Sequence, residues 1–137
     1  MLIGKRGGGA PVVEVTVGFD RARWTENPSD IRRERVRAII DTGATHVVMH
    51  PELIARLGLA FSKNYIHRTT GGRTVDTPGF GCDITIDRDI GPCTVEEIIA
   101  VSDTTLDCEV LLGWDFLRFF DLHFLSRGQF MMVWRGH

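Results

Sequence analysis

The chain has 137 residues, 43% of them hydrophobic and 25% charged, which fits one ordinary globular domain and excludes disordered, collagenous and disulfide-scaffold classes. Sixteen basic against 18 acidic side chains leave a formal charge of −2. No bulk attraction to nucleic acid or to an anionic membrane follows, and no nucleic-acid partner is expected.

Residues 1–9 are Gly-rich and are predicted as a flexible segment ahead of a single domain over 10–137. Ala10 to Phe19 alternates, with Val13, Val15 and Val17 on one face and Val12, Glu14 and Thr16 on the other, the period of a β-strand. Asp20 to Asp30, with Asn27, Pro28 and Ser29, reads as a loop. Arg33 to Asp41 resumes strand character, and Arg32, Arg33, Arg35 and Arg37, with Glu34 among them, form a solvated strand face. Pro51 to Leu57 is predicted as a short helix, with Pro51 at its first position, Glu52 in its first turn and Gly58 beyond its end. Tyr65–Thr70 and Arg73–Thr77 flank Gly71-Gly72, the two-residue signature of a hairpin turn. Strands are expected at Cys82–Asp87 and Thr94–Val101, Glu109–Leu112 is an apolar segment ending at Gly113, one or two helical turns are expected at Asp115–Phe120, and a closing strand pair at Asp121–Phe124 and Gln129–Trp134 around Ser126–Gly128. The reading is a mostly-β chain with two short helices.

Cys82, Cys93 and Cys108 are odd in number and far apart, so a zinc site and a disulfide framework are not expected. No apolar run of about 18 residues is present to span a bilayer, and without a signal-peptide pattern a cytoplasmic setting is the default expectation. His46 and His50 have i,i+4 spacing but lack the Glu of a zinc-binding His-Glu-x-x-His helix, and Val47-Val48 favours a strand there. Gly7-Gly8-Gly9 precedes a strand instead of following one and lacks the Lys-Ser/Thr of a phosphate loop. Trp24, Trp114 and Trp134 are dispersed and read as core or interface residues. No metal and no cofactor is expected.

The chemistry concentrates at Ile39-Ile40-Asp41-Thr42-Gly43-Ala44. A carboxylate at the end of an apolar strand, followed by a hydroxyl residue and Gly, stands at the mouth of the core, where desolvation tunes its pKa. Taken alone, Asp-Thr-Gly is also an ordinary turn. The second element is Val110-Leu111-Leu112-Gly113, followed by Trp114-Asp115-Phe116-Leu117.

Together, and in order with the helix ending at Leu57-Gly58-Leu59, these segments closely resemble the retropepsin family of aspartic proteases, in its bacterial and cellular branch. The likeness runs from Ala10 to Trp134. It implies a closed β-barrel of the acid-protease type with its active site on a two-fold dimer axis. Asp41 would then be the catalytic carboxylate, Thr42 would place its hydroxyl in the lattice beneath two aspartates, and Gly43 would bring backbone to the substrate. Ala44 would border the cleft. Thr70, Gly71, Gly72 and Arg73 would form the flap over the substrate, while Leu111, Leu112 and Gly113 would form the structural motif beside the site. Asp76-Thr77-Pro78 and Asp103-Thr104-Thr105 lack the Gly of a second copy, so one motif per chain implies a homodimer that hydrolyses peptide bonds. Retroviral members often carry a paired Asp and Arg where Thr45 and Trp114 stand here. Both partners are absent together, so no unpaired charge remains. The alternative reading is a non-catalytic dimerisation or peptide-binding module that keeps the fold.

Overall fold

In the computed structural model the described residues are 2–7, 10–19, 32–68, 72–88, 90–125 and 129–135. The elements in chain order are β1 (Leu2–Gly7), β2 (Ala10–Phe19), β3 (Arg33–Ile40), β4 (Val47–Met49), α1 (Pro51–Leu57), β5 (Ala60–Arg68), β6 (Thr74–Ile86), β7 (Cys93–Ser102), β8 (Val110–Leu112), α2 (Trp114–Leu117), β9 (Phe120–Phe124) and β10 (Gln129–Trp134).

Alternation drives the two strands that lead to the site. Val13, Val15 and Val17 on β2 are buried and pair in antiparallel register with β3, where Val36, Ala38 and Ile40 are buried in turn. Each buried Val or Ile contributes roughly 1.5–3 kcal/mol relative to exposure, which fixes the register, because a one-residue slip would expose the whole set.

Six strands close into a barrel in the order β6–β7–β4–β8–β3–β2 and back to β6. The closure depends on the length of β6. Its first part, Thr74 to Gly81, pairs with β5, while Cys82 to Thr85 pairs with β2. One strand therefore belongs both to a projecting hairpin and to the barrel wall. The sequence splits this strand at Pro78 and Gly79, but the strand continues, with a register shift in its β5 pairing between Phe61 and Asn64. Pro78 pairs with Asn64, and a Cβ at Gly79 would collide with the Tyr65 ring and the Ile99 side chain, so the glycine there answers a packing need and not a turn.

Helix α1 forms as expected. Pro51 is its first residue, His50 caps it by accepting the Glu52 N–H at Nδ1 (3.2 Å), and Gly58 ends it in the left-handed region at φ 63°. Leu53, Ile54 and Leu57 enter the core. On its exposed side Arg56 bridges Glu34 of β3 (2.8 Å) and Glu109 before β8 (2.5 Å).

Several expectations are corrected. Residues 1–9 are not a free segment throughout, because Leu2–Gly7 is strand β1, paired with both β10 and β2; main-chain pairing tolerates the glycines. The strand favoured at Val47-Val48 is present as β4, Val47–Met49, and is fully buried. The second helix is shorter and earlier than predicted, Trp114–Leu117, since Phe120 is taken into β9. The turn expected at Gly71-Gly72 falls between the paired residues Arg68 and Thr74, and residues 69–71 lie outside the described residues. The predicted loop at Asp20–Asp30 and turn at Ser126–Gly128 lie outside the described residues. Cys82, Cys93 and Cys108 are free thiols. Among the described residues no helix is long and apolar enough to cross a membrane.

Candidate active site

The parallel pairing of β3 with β8 builds the site. Ile39 faces Leu111 and Ile40 faces Leu112, so both strands reach their C-terminal ends side by side, and Asp41 extends the ladder by donating its N–H to the Leu112 carbonyl at 3.0 Å. Asp41 then turns the chain. Its Oδ1 accepts the Gly43 N–H at 2.9 Å and its carbonyl accepts the Ala44 N–H at 3.2 Å. A Cβ at Gly43 would stand 3.2 Å from that same oxygen, so the glycine leaves room for the carboxylate.

The turn is stitched to the start of α2. Trp114 N–H donates to Ala44 and Asp115 N–H to Thr45, both at 2.9 Å. The Trp114 indole N–H donates to the Thr42 carbonyl at 2.6 Å, and His46 Nδ1 lies 2.9 Å from Asp115 Oδ2. Gly113 makes this approach possible, since a Cβ there would overlap the carbonyl oxygens of His46 and Ala44. The tie that the sequence lacks at Thr45 and Trp114 is thus made by an indole–carbonyl bond and by a His–Asp pair one position further along each segment.

A cavity of about 510 Å³ opens above the turn. Asp41, Gly43 and Ala44 line it, with Val48 and Leu111 as apolar wall. Ile66, His67, Arg68 and Thr74 of the β5–β6 hairpin line the opposite side. A partly exposed carboxylate on the floor of a cleft roofed by a hairpin is suited to holding an extended chain and activating a water beside it.

The expected residues are distributed as follows. Asp41, Gly43, Ala44 and Leu111 meet at the cavity. Leu112 and Gly113 support it from below. Thr42 is exposed beside it and enters through its backbone carbonyl. Gly72, at φ 84°, and Arg73 lie on the hairpin connection, whereas Thr70 and Gly71 lie outside the described residues.

Sequence reasoning left out His67 and Asp103, which line the same cavity. His67 Nε2 is 3.1 Å from Asp103 Oδ2, and Asp103 Oδ1 accepts both the N–H (2.8 Å) and the hydroxyl (2.6 Å) of Thr105. Burial pushes the Asp103 carboxyl up, but the Thr105 and His67 bonds outweigh it and hold the group below its ordinary value. The only available signal was the position of His67 on the inward face of an alternating strand. Among the described residues, no three His, Cys, Asp or Glu side chains converge as a metal site requires.

Comparison with known proteins agrees with this geometry. Residues 28–119 match a family described as "gag-polyprotein putative aspartyl protease". A crystal structure of a retropepsin-like aspartic protease from Rickettsia conorii superposes with a TM-score of 0.60 at 17% identity, covering 96% of this chain and 88% of that one. No curated protein matches. The fold is therefore retropepsin-like: a closed six-stranded barrel with two short helices.

Proposed function

Because the chain belongs to the gag-polyprotein aspartyl protease family, we propose that it is an aspartic endopeptidase whose active site is assembled from two copies of Asp41 in a homodimer. The placement of Asp41 on the floor of a cleft of about 510 Å³, beneath the β5–β6 hairpin, carries this reading.

The chemistry requires two carboxylates. One is ionised and takes a proton from the attacking water, while the other is protonated and polarises the scissile carbonyl. Among the described residues of one chain Asp103 is the other carboxylate at this cavity, and Thr105 and His67 occupy both its oxygens. Asp76 is exposed on the hairpin. The second group therefore comes from a second chain, and the pair shares one proton because two adjacent carboxylates cannot both ionise.

The other roles follow from position. Gly43 and Ala44 border the substrate strand. Thr42, whose carbonyl is already engaged by Trp114, directs its hydroxyl toward the partner's turn. Gly72 and Arg73, with Thr70 and Gly71, form the flap that covers the bound chain and excludes water. Leu111, Leu112 and Gly113 hold the floor. The apolar wall of Val48 and Leu111 suits an apolar substrate side chain next to the scissile bond.

Incubation with a mixed peptide library, with and without a transition-state-mimicking inhibitor of aspartic proteases, tests the reading. Inhibitor-sensitive cleavage is the expected result. Peptide binding with no cleavage at any pH between 3 and 8 would instead identify a non-catalytic peptide-binding module.

A further inference from the structure

The barrel ladder stops short of the hairpin tip. Strand β6 pairs with β7 only as far as Gly79, opposite Val101, so residues 74–78 and their β5 partners project beyond the main-chain hydrogen bonds of the barrel. Side-chain contacts then fasten the hairpin. Thr77 Oγ1 donates to the Ser102 carbonyl at 2.5 Å, His67 meets Asp103 at 3.1 Å, and the Tyr65 ring packs edge-on against His46 at 5.7 Å.

His67 differs from the other two in chemistry. Its side chain and that of Asp103 are 10% and 1% exposed, so the contact is shielded from water and counter-ions. The Asp103 end is rigid, with both Thr105 bonds on Oδ1 and the backbone N–H donating to Met49 at the end of β4 (3.3 Å). The His67 end belongs to the hairpin. One bond thus links the roof of the cleft to its wall.

We propose that His67 is a positioning residue, whose bond to Asp103 sets how far the β5–β6 hairpin stands open over the Asp41 cleft. The proposal rests on reading that cleft as the peptidase site. His67 touches no reacting atom; it acts through the hairpin. An imidazolium opposite the Asp103 carboxylate makes a charge-assisted bond, and the neutral ring makes a weaker one. Arg68 follows His67 on β5, and Asp41 and His46 line the same cavity.

Amide hydrogen exchange tests this without requiring catalysis, in an Asp41→Asn background. His67→Leu is expected to speed exchange of the amides of 64–68 and 74–78 about tenfold, the scale of a lost charge-assisted bond, with β2 and β3 amides unchanged. His67→Gln, which keeps a donor, recovers most of the protection. Unchanged exchange in His67→Leu, or equal acceleration of hairpin and barrel, overturns the proposal. With Asp41 restored, His67→Leu raises KM several-fold while kcat stays within about twofold. If no peptide is cleaved at all, the peptidase reading fails and the exchange result still decides the role of His67.

Discussion

His46 Nδ1 lies 2.9 Å from Asp115 Oδ2, and this pair fastens the turn that carries Asp41 to the first turn of α2. The two residues are 69 positions apart, and two backbone bonds run beside the pair: Asp115 N–H donates to Thr45 and Trp114 N–H to Ala44. The pair is only partly shielded, so its worth is modest. Asp115→Ala is expected to lower stability by about 1 kcal/mol in urea unfolding, with Asp115→Asn, which keeps an acceptor, costing less. Equal losses in the two variants would show that charge, not hydrogen bonding, dominates the contact.

Gly113 is the position where the floor tolerates no side chain. A Cβ there meets two backbone carbonyls, those of His46 and Ala44, and neither is the end of a side chain that can swing away. Ala44 is further held by the Trp114 N–H. Gly113→Ala is expected to cost about 3 kcal/mol or more, at the upper end of overpacking effects. Urea denaturation of the variant measures this directly.

Asp103 makes the protein acid-sensitive. Its carboxyl is held below the ordinary value in the folded chain, so the ionised form is favoured by folding. That stability is fully present above the unfolded carboxyl's pKa of about 4 and is lost as pH falls through the lower folded value. Wild-type stability is thus expected to fall more steeply from pH 5 to pH 2 than that of Asp103→Asn, whose stability is lower at pH 6. Parallel curves for the two proteins would contradict the assignment.

Local signals and long-range contacts account for what the sequence did and did not disclose. Pro51 and Gly58 mark the ends of α1 by backbone chemistry that needs no tertiary partner, and helix α1 falls on the predicted residues. The valines of β2 and the apolar run into Asp41 likewise carry their own burial pattern. The sequence divides strand β6 because Pro78, Gly79 and Gly81 look like a turn locally, whereas pairing of Pro78 with β5, of Gly79 with β7 and of Gly81 with both holds them extended. The juxtaposition of Asp41 with Leu112 was legible only through family likeness. Asp103 stands in the sequence only as an incomplete Asp-Thr-Gly match, His67, 36 residues away, sits in a segment with no motif, and only the folded hairpin brings them together. His46 and Asp115 meet one residue beyond Thr45 and Trp114, the positions of the paired Asp and Arg in retroviral members, a contact that spacing alone does not reveal.

The central claim, that catalysis uses Asp41 from each of two chains, is tested most directly by subunit mixing. Wild-type chains are equilibrated with Asp41→Asn chains at fixed total concentration, and peptide cleavage is followed against the wild-type fraction. Random pairing gives active pairs in proportion to the square of that fraction, so an equal mixture is expected to retain about one quarter of wild-type activity, and pure Asp41→Asn none. A linear fall, leaving about one half at equal mixing, would mean that each chain works alone and would contradict the account.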